Sequence, residues 1–178
     1  MEPDTPFDLN KSFAILERTP EVLRTLLKDL PEDWTHANEG DETWSPFIIV
    51  GHLLHGDKTD WLTRTKIILS DADDKTFPPF DRFAQIKDNQ GRQLNDLLDE
   101  FAERRKANLK ELKALNITED MLSKKGIHPA FGKVSLGQLL TTWMNHDLNH
   151  LYQITRVLAK QFKEETGPWV EFLRILRH

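Results

Sequence analysis

The segment from Ser135 to about Phe162 constrains the fold more than any other, because it has the pattern of one long amphipathic helix. Ser135 and Gln138 have the spacing of a capping box, in which two side chains satisfy free N–H groups of the first helical turn. Apolar residues then recur every three or four positions, so one face of the helix is apolar. That face must be buried against other helices, which predicts a helical bundle.

Further segments with helix signals supply the other members of the bundle. They run from Leu9 to Leu30, from Pro46 to about Leu69, from about Gln90 to Leu115 and from Pro168 to Leu176, with a short helical turn between Asn116 and Gly126. Pro20 predicts a kink or break in the first helix, because proline lacks an N–H and disturbs the preceding turn. Pro31 ends that helix. Ser45 caps the second helix, with Pro46 in its first position.

No segment alternates apolar and polar residues in the way that a half-buried strand does. Two stretches, Ser70 to Phe83 and Ile127 to Val134, are predicted loops because of their proline, glycine or aspartate content. We therefore predict an all-α fold, a four-helix bundle with short additional helices. The composition does not shift along the 178 residues, which predicts a single domain spanning residues 1–178.

Composition and charge exclude several classes of function. The chain has no cysteine, so it has no disulfide, no thiolate metal ligand and no sulfur nucleophile of its own. Its net charge is -5, and the short basic groups at 104–106 and 124–125 are interpreted as solvated surface, so nucleic acid is not an expected partner. The first residues lack the pattern of a secretory signal, and no apolar stretch is long enough to span a bilayer. We expect a cytoplasmic protein with no membrane partner.

A pair of histidines is the most informative motif. His146 and His150 are four residues apart in the last long helix, so both project from its inward, apolar face. A buried imidazole without a partner costs roughly 1–3 kcal/mol, and a metal ion shared by both rings would remove that cost. Catalytic metal sites commonly use three protein ligands and leave one position open, so a third ligand is expected elsewhere in the chain.

His52 is the best candidate for the third ligand, because it lies in the apolar opening of the second helix. His55, one turn later, is its competitor, and a histidine satisfied by ordinary hydrogen bonds in the core is the alternative for either residue. The remaining histidines lie in predicted loops or at the terminus and are interpreted as structural or exposed. They are His36, His128 and His178.

Three polar residues near these histidines are candidates for hydrogen bonds to the free ring nitrogens, which metal-binding imidazoles usually donate to an acceptor. Asp57 and Asp147 are the acidic candidates, although an exposed position on a helix is the commoner situation for an aspartate. Gln153, one turn beyond His150, is either a further hydrogen-bond partner or a spacer.

The order and spacing of three motifs resemble the DinB-like / YfiT-like superfamily of bacterial helical bundles. The first motif spans Trp44 to Asp57 and contains His52, the second spans His128 to Leu140, and the third spans His146 to Gln153. The resemblance covers most of the chain. It implies a four-helix bundle that holds one divalent metal ion, such as zinc, nickel, iron or manganese, on three histidines. The motif matches place these ligands at His52, His146 and His150.

Activity follows less directly than fold, because one scaffold can carry several chemistries. The resemblance implies a metal-dependent enzyme, a thiol-dependent S-transferase or a hydrolase, that acts on small electrophiles in detoxification or stress. A low-molecular-weight thiol would then be a co-substrate, and the family also allows a homodimer. The alternative is a non-catalytic bundle with a structural or vestigial metal site. The number of protein ligands separates the two readings, since a structural site has a closed shell of four.

Overall fold

The computed structural model describes residues 8–177. Its helices are α1 (Leu9–Leu16), α2 (Thr19–Leu27), α3 (Glu32–His36), α4 (Pro46–Thr59), α5 (Trp61–Leu69), α6 (Ala84–Asp88), α7 (Leu94–Ala114) and α8 (Leu136–Lys160). Two short strands, β1 (Lys125–His128) and β2 (Gly132–Ser135), precede α8, and 3-10 helices span Asp120–Ser123, Gly167–Phe172 and Arg174–Leu176. Among these residues, no helix combines the length and the apolar character needed to cross a membrane.

The prediction of a mainly helical four-helix bundle is confirmed. Its four members are α1 with α2, α4 with α5, α7 and α8, and the long helices α7 and α8 both pack against α4. Two apolar clusters form the core: one joins α1, α5, the end of α7 and the start of α8, and the other joins α2, α4, the start of α7 and the later part of α8. Between the two clusters lies a layer of buried polar residues, which includes Asp57, Arg105, Asn108 and Asp147. This layer positions the candidate site.

Helix breaks in that layer leave carbonyl groups that a neighbouring helix satisfies. Pro20 has no N–H to donate to the carbonyl of Leu16, which instead accepts a hydrogen bond of 3.0 Å from Arg105 of α7. The carbonyl of Asp57, at the end of α4, accepts a bond of 2.6 Å from the side-chain amide of Asn108. The break predicted at Pro20 is confirmed, whereas the predicted single helix from Pro46 to Leu69 is interrupted at Asp60.

The predicted loop from Ile127 to Val134 is wrong in part, because it belongs to a β-hairpin. β1 and β2 pair antiparallel from Lys125↔Ser135 to His128↔Gly132, and Gly132, the first residue after the tight turn at 129–131, has a φ of 69°. The backbone of Ile127 also bonds to the predicted loop at Lys75 and Phe77, at 2.9 Å each. Four-residue strands that gain their stability from such docking show no alternating pattern in sequence.

Smaller differences concern the helix ends. The helix predicted from Gln90 begins at Leu94, the turn predicted between Asn116 and Gly126 is a 3-10 helix at Asp120–Ser123, and the segment from Pro168 to Leu176 contains two 3-10 helices rather than one α-helix. The last long helix has the predicted capping box: Ser135 and Gln138 exchange bonds of 3.1 and 2.8 Å. It ends at Lys160.

Candidate metal centre

Three histidines converge where α4 meets α8. The Nε2 atom of His146 lies 3.0 Å from Nε2 of His52 and 3.1 Å from Nε2 of His150. One potential ligand atom from each of the three rings lies within 4.8 Å of the others. The structure thus brings together the three residues that the sequence selected, although their role as ligands stays a prediction.

Ring protons alone do not account for this arrangement. An imidazole nitrogen carries either one proton or one lone pair, so Nε2 of His146 can form only one good hydrogen bond with its two neighbours. Nδ1 of His150 lies 2.9 Å from Oε1 of Gln153 and donates to it, which leaves the Nε2 lone pair of His150 facing inward. Two ligands on one tetrahedral zinc ion would be separated by about 3.3 Å, given Zn–N bonds of about 2.0–2.1 Å. The donor set and spacing therefore fit a divalent cation.

Burial keeps the three rings in the neutral form that binds metal. Burial lowers the pKa of His52 to about 3 and that of His146 to about 2, and the neighbouring imidazoles and arginines act in the same direction. Burial also lowers the pKa of His150, against the opposing effects of the bond to Gln153 and the charge of Asp147. All three are neutral at physiological pH, as metal ligands must be.

Aromatic rings hold the imidazoles in place. The ring of Trp44 lies over that of His52, with centroids 4.8 Å apart, and stacks at 6.3 Å on His150. Trp61 packs edge-on against His146 at 5.1 Å and stacks on Trp143 at 5.9 Å. These contacts restrict the ring orientations and shield one side of the group from water.

Of the three polar residues proposed as partners of the histidines, only Gln153 has that role. Its bond to His150 confirms that it points into the site. The expectation that Asp57 and Asp147 accept bonds from the other imidazoles is wrong, because Nδ1 of His52 and of His146 are buried without a hydrogen-bond partner. The alternative of exposed acids is also wrong, since both aspartates are buried.

Asp57 and Asp147 instead bind Arg105. The prediction that Arg105 lies on the solvated surface is wrong, because its side chain is only 1% exposed. The guanidinium donates four bonds of 2.5–3.1 Å to the two carboxylates and a fifth to the carbonyl of Leu16. All five of its N–H groups are thereby used. Burial works to lower the pKa of Arg105, but the two carboxylates outweigh it and raise that pKa. Burial raises the pKa of Asp57 to about 6, although Arg105 opposes this shift.

The Arg105 network connects the elements that carry the three histidines. Asp57 lies five residues after His52 in α4, and Asp147 directly follows His146 in α8. Arg105 also packs between aromatic rings, with its central carbon 4.8 Å from the ring of Phe101 and 5.2 Å from that of Trp143. Sequence reasoning missed this residue.

A cavity of about 620 Å³ lies over the three imidazoles. Its walls come from α4, α5, the segment before α6, the hairpin and α8. The lining residues outside the histidine group are Trp44, Gly56, Asp60, Trp61, Arg64, Pro79, Phe80, Arg82, His128, Pro129, Ala130 and Phe131. This is the size range of sites for small molecules, and exposed residues at the rim open it to solvent.

The other histidines among residues 8–177 do not join the group. His55 is half-buried and packs on Phe80, with ring centroids 5.2 Å apart. His36 is exposed and stacks on Phe47, as expected of a structural or solvated residue. His128, interpreted as structural or exposed, is half-buried and lines the cavity, where its Nδ1 accepts two backbone N–H bonds in the hairpin turn. His178 lies outside the described residues.

Comparison with known proteins identifies the class of this bundle. The model of the DinB superfamily matches residues 15–154, so the chain belongs to that superfamily. Among solved structures, it is similar to YfiT from Bacillus subtilis, a probable metal-dependent hydrolase with an unusual four-helix bundle topology. The TM-score is 0.74 and the identity 16%, over 90% of this chain and 93% of YfiT. At this identity the likeness shows a shared fold. No curated protein matches the chain.

Proposed function

We propose that the protein is a metal-dependent hydrolase of small molecules, with one divalent ion held by His52, His146 and His150. The observation that carries this proposal is the convergence of three neutral imidazoles, 3.0 and 3.1 Å apart, beneath a cavity of about 620 Å³. The description of YfiT as a probable metal-dependent hydrolase supports it by analogy of fold.

The donor set favours a catalytic over a structural ion. A structural site has four protein ligands, whereas no fourth histidine or acid joins the group among residues 8–177. Asp57 and Asp147, the buried acids in the same polar layer, are committed to Arg105. A divalent ion in this place supplies Lewis acidity, which lowers the pKa of a nucleophile and polarises an electrophile. Trp44 and Trp61 hold the imidazoles in position and limit the access of water.

Thiol-dependent S-transfer is the second candidate, and the volume of the cavity favours it. About 620 Å³ leaves room for a thiol and an electrophile side by side. The cysteine-free chain supplies no sulfur nucleophile, so a small thiol would have to enter as a co-substrate. A role in detoxification would follow from this reaction.

Turnover of defined substrates tests both candidates. The protein is loaded separately with zinc, nickel, manganese or iron(II) and assayed with 4-nitrophenyl acetate and with glutathione plus 1-chloro-2,4-dinitrobenzene. A hydrolase is expected to cleave the ester on the order of 100-fold faster than metal-free protein or the same metal in buffer. Faster conjugation of the thiol without ester cleavage would favour S-transfer. If neither reaction exceeds the metal-free rate with any metal, the non-catalytic bundle becomes the better conclusion.

The lowered histidine pKa values predict metal binding that resists acid. Three imidazoles with the ordinary pKa of about 6.5 would lose roughly 1,000-fold in apparent affinity between pH 7.5 and 5.5, because three protons would compete. The pKa values of His52 and His146 lie near 3 and 2, so no proton competes at these two rings above pH 5. We expect the zinc affinity, measured by competition with a chelator, to fall less than about tenfold over this range. A fall of 100-fold or more would contradict the prediction.

A further inference from the structure

Arg64, on the wall of the metal cavity, has hydrogen-bond donors that the protein does not use. Its side chain is 7% exposed, and Nε lies 2.5 Å from Oδ1 of Asp60. Beyond this ion pair with Asp60, the buried Nε makes no hydrogen bond of good geometry. In contrast, the buried Arg105 uses all five of its donors. A nearly buried guanidinium with free donors needs an acceptor, and the cavity is where one can bind.

The charge around this position favours an anion. Asp60 is the only acid among the described lining residues, and its ion pair with Arg64 cancels its charge. Arg82, on the same cavity, is exposed and forms no ion pair with another described residue, and its charge helps to lower the pKa of His52. Three neutral imidazoles would leave the charge of a divalent ion uncompensated. The cavity therefore carries net positive charge.

The remaining walls suit an apolar body and a further acceptor. Trp44, Trp61 and Phe80 contribute aromatic surface. Nδ1 of His128 accepts the backbone N–H groups of the hairpin turn, so the neutral ring carries its proton on Nε2 and is a donor at the cavity wall.

We propose that the cavity binds a small substrate with an oxyanion group, a carboxylate or a phosphate, on an apolar body, and that Arg64 binds the oxyanion. Arg82 at the rim attracts the anion, and His128 donates a further hydrogen bond. This inference rests on the proposed use of the cavity as a substrate site. The planar fork of an arginine can give two parallel bonds to such a group, which makes Arg64 a determinant of specificity.

Calorimetric titration of three probes of similar size tests the proposal: benzoate, phenyl phosphate and benzyl alcohol. The metal-free protein is titrated first, because no ion can then bind the anions, and the zinc-loaded protein second. We expect at least one anion to bind metal-free wild type about tenfold tighter than the alcohol, and its binding to weaken roughly 10- to 100-fold in Arg64→Gln. Binding of the alcohol should not change. The tighter anion identifies the oxyanion as carboxylate or phosphate.

Two further variants separate recognition from folding. Arg24→Gln removes an arginine of α2 that pairs with Asp99 and does not line the cavity, and should leave all three titrations unchanged. Arg82→Gln alters an exposed side chain and should weaken anion binding about two- to fivefold at low salt, with little effect at high salt. If Arg64→Gln does not fold, the weaker anion binding of Arg82→Gln at low salt, compared with its binding at high salt, tests whether the cavity binds an anion. Equal binding of anion and alcohol by wild type, or an anion preference that survives in both variants, would overturn the proposal.

The anion-binding titrations do not depend on whether the protein turns over a substrate. A protein that prefers the anions but hydrolyses no ester would contradict the proposed hydrolase and support the oxyanion site. A protein that hydrolyses neutral esters without any anion preference would support the proposed hydrolase and contradict the oxyanion site.

Discussion

Replacement of His150 by alanine is expected to abolish tight binding of a divalent metal. His150 is 7% exposed, its Nδ1 is held by Gln153, and its Nε2 faces that of His146 at 3.1 Å. Zinc sites with four ligands are worth about 10–16 kcal/mol, so loss of one ligand should weaken binding on the order of 100- to 1,000-fold. Wild-type protein, purified without a histidine tag, should contain about one metal ion per chain by mass spectrometry.

His55→Ala is the matched control. This histidine lies one turn from His52 on the same helix but packs on Phe80 outside the group. The variant should keep the metal content and zinc affinity of wild type. If His150→Ala retains the metal, or if His55→Ala loses it, the assignment of ligands is wrong. Failure of wild type to bind zinc, nickel, manganese or iron(II) after reconstitution would exclude the site altogether.

The convergence of the three histidines could be predicted from the sequence in part, because helix geometry determines which residues project from the same face. His146 and His150 share a face by their spacing, and the buried stripe of α8 passes through His150, as expected. His52 is preferred over His55 because it lies in the apolar opening of the second helix, and the family resemblance implies the same residue. The partners of the other ring nitrogens could not be predicted, because they depend on packing between helices that are distant in the chain.

Arg105 is a buried residue within a run of charged residues whose neighbours are exposed. Arg104 and Lys106 are exposed, and the run by itself is typical of a solvated helix surface. Arg105, however, lies four residues after Phe101 and four before Leu109, on the buried stripe of α7. The spacing of Arg105 from these apolar residues therefore indicates that its side chain is buried. The sequence does not show which acids compensate the buried charge of Arg105, because Asp57 and Asp147 lie 48 and 42 residues away in the chain.

The elements around the cavity were the least predictable. The hairpin and the segment at 75–77 form their backbone bonds with each other across about 50 residues, and neither has a strand pattern of its own. Packing at Gly126 illustrates the dependence on tertiary contacts, since a Cβ there would lie 2.4 Å from the ring of Phe77. Arg64, in turn, has the sequence setting of an ordinary exposed helix residue, but its guanidinium packs over the ring of Phe77 from the distant segment at 75–77, with its central carbon 5.2 Å from the ring centroid.

Replacement of Arg105 by alanine is expected to lower the free energy of unfolding by about 3–5 kcal/mol, the usual cost of removing one partner from a buried ionic group. The change leaves the carboxylates of Asp57 and Asp147 buried without their cation, and it removes the donor to the carbonyl of Leu16 at the Pro20 break. Urea unfolding followed by circular dichroism measures the loss. Arg104→Ala is the matched control, since its side chain is exposed and should change stability by no more than about 0.5 kcal/mol.

A triple variant distinguishes charge from packing. Arg105→Met with Asp57→Asn and Asp147→Asn removes the cation and both anions while it keeps most of the buried volume. We expect this variant to recover a large part of the stability that Arg105→Ala loses, because no unpaired charge is left in the core. If the triple variant is as unstable as Arg105→Ala, the network acts through its shape and its hydrogen bonds rather than through charge balance.

The pH dependence of the Arg105→Ala loss gives an independent check. Burial raises the pKa of Asp57 to about 6 even with Arg105 present, and removal of the cation would raise it further. A carboxyl group whose pKa is higher in the folded than in the unfolded protein takes up a proton on folding, so its contribution to stability is lost as the pH rises. The stability loss in Arg105→Ala should therefore be smaller at pH 5, where Asp57 can fold in its neutral form, than at pH 8. A loss of equal size at both values would show that Asp57 is not the group left uncompensated.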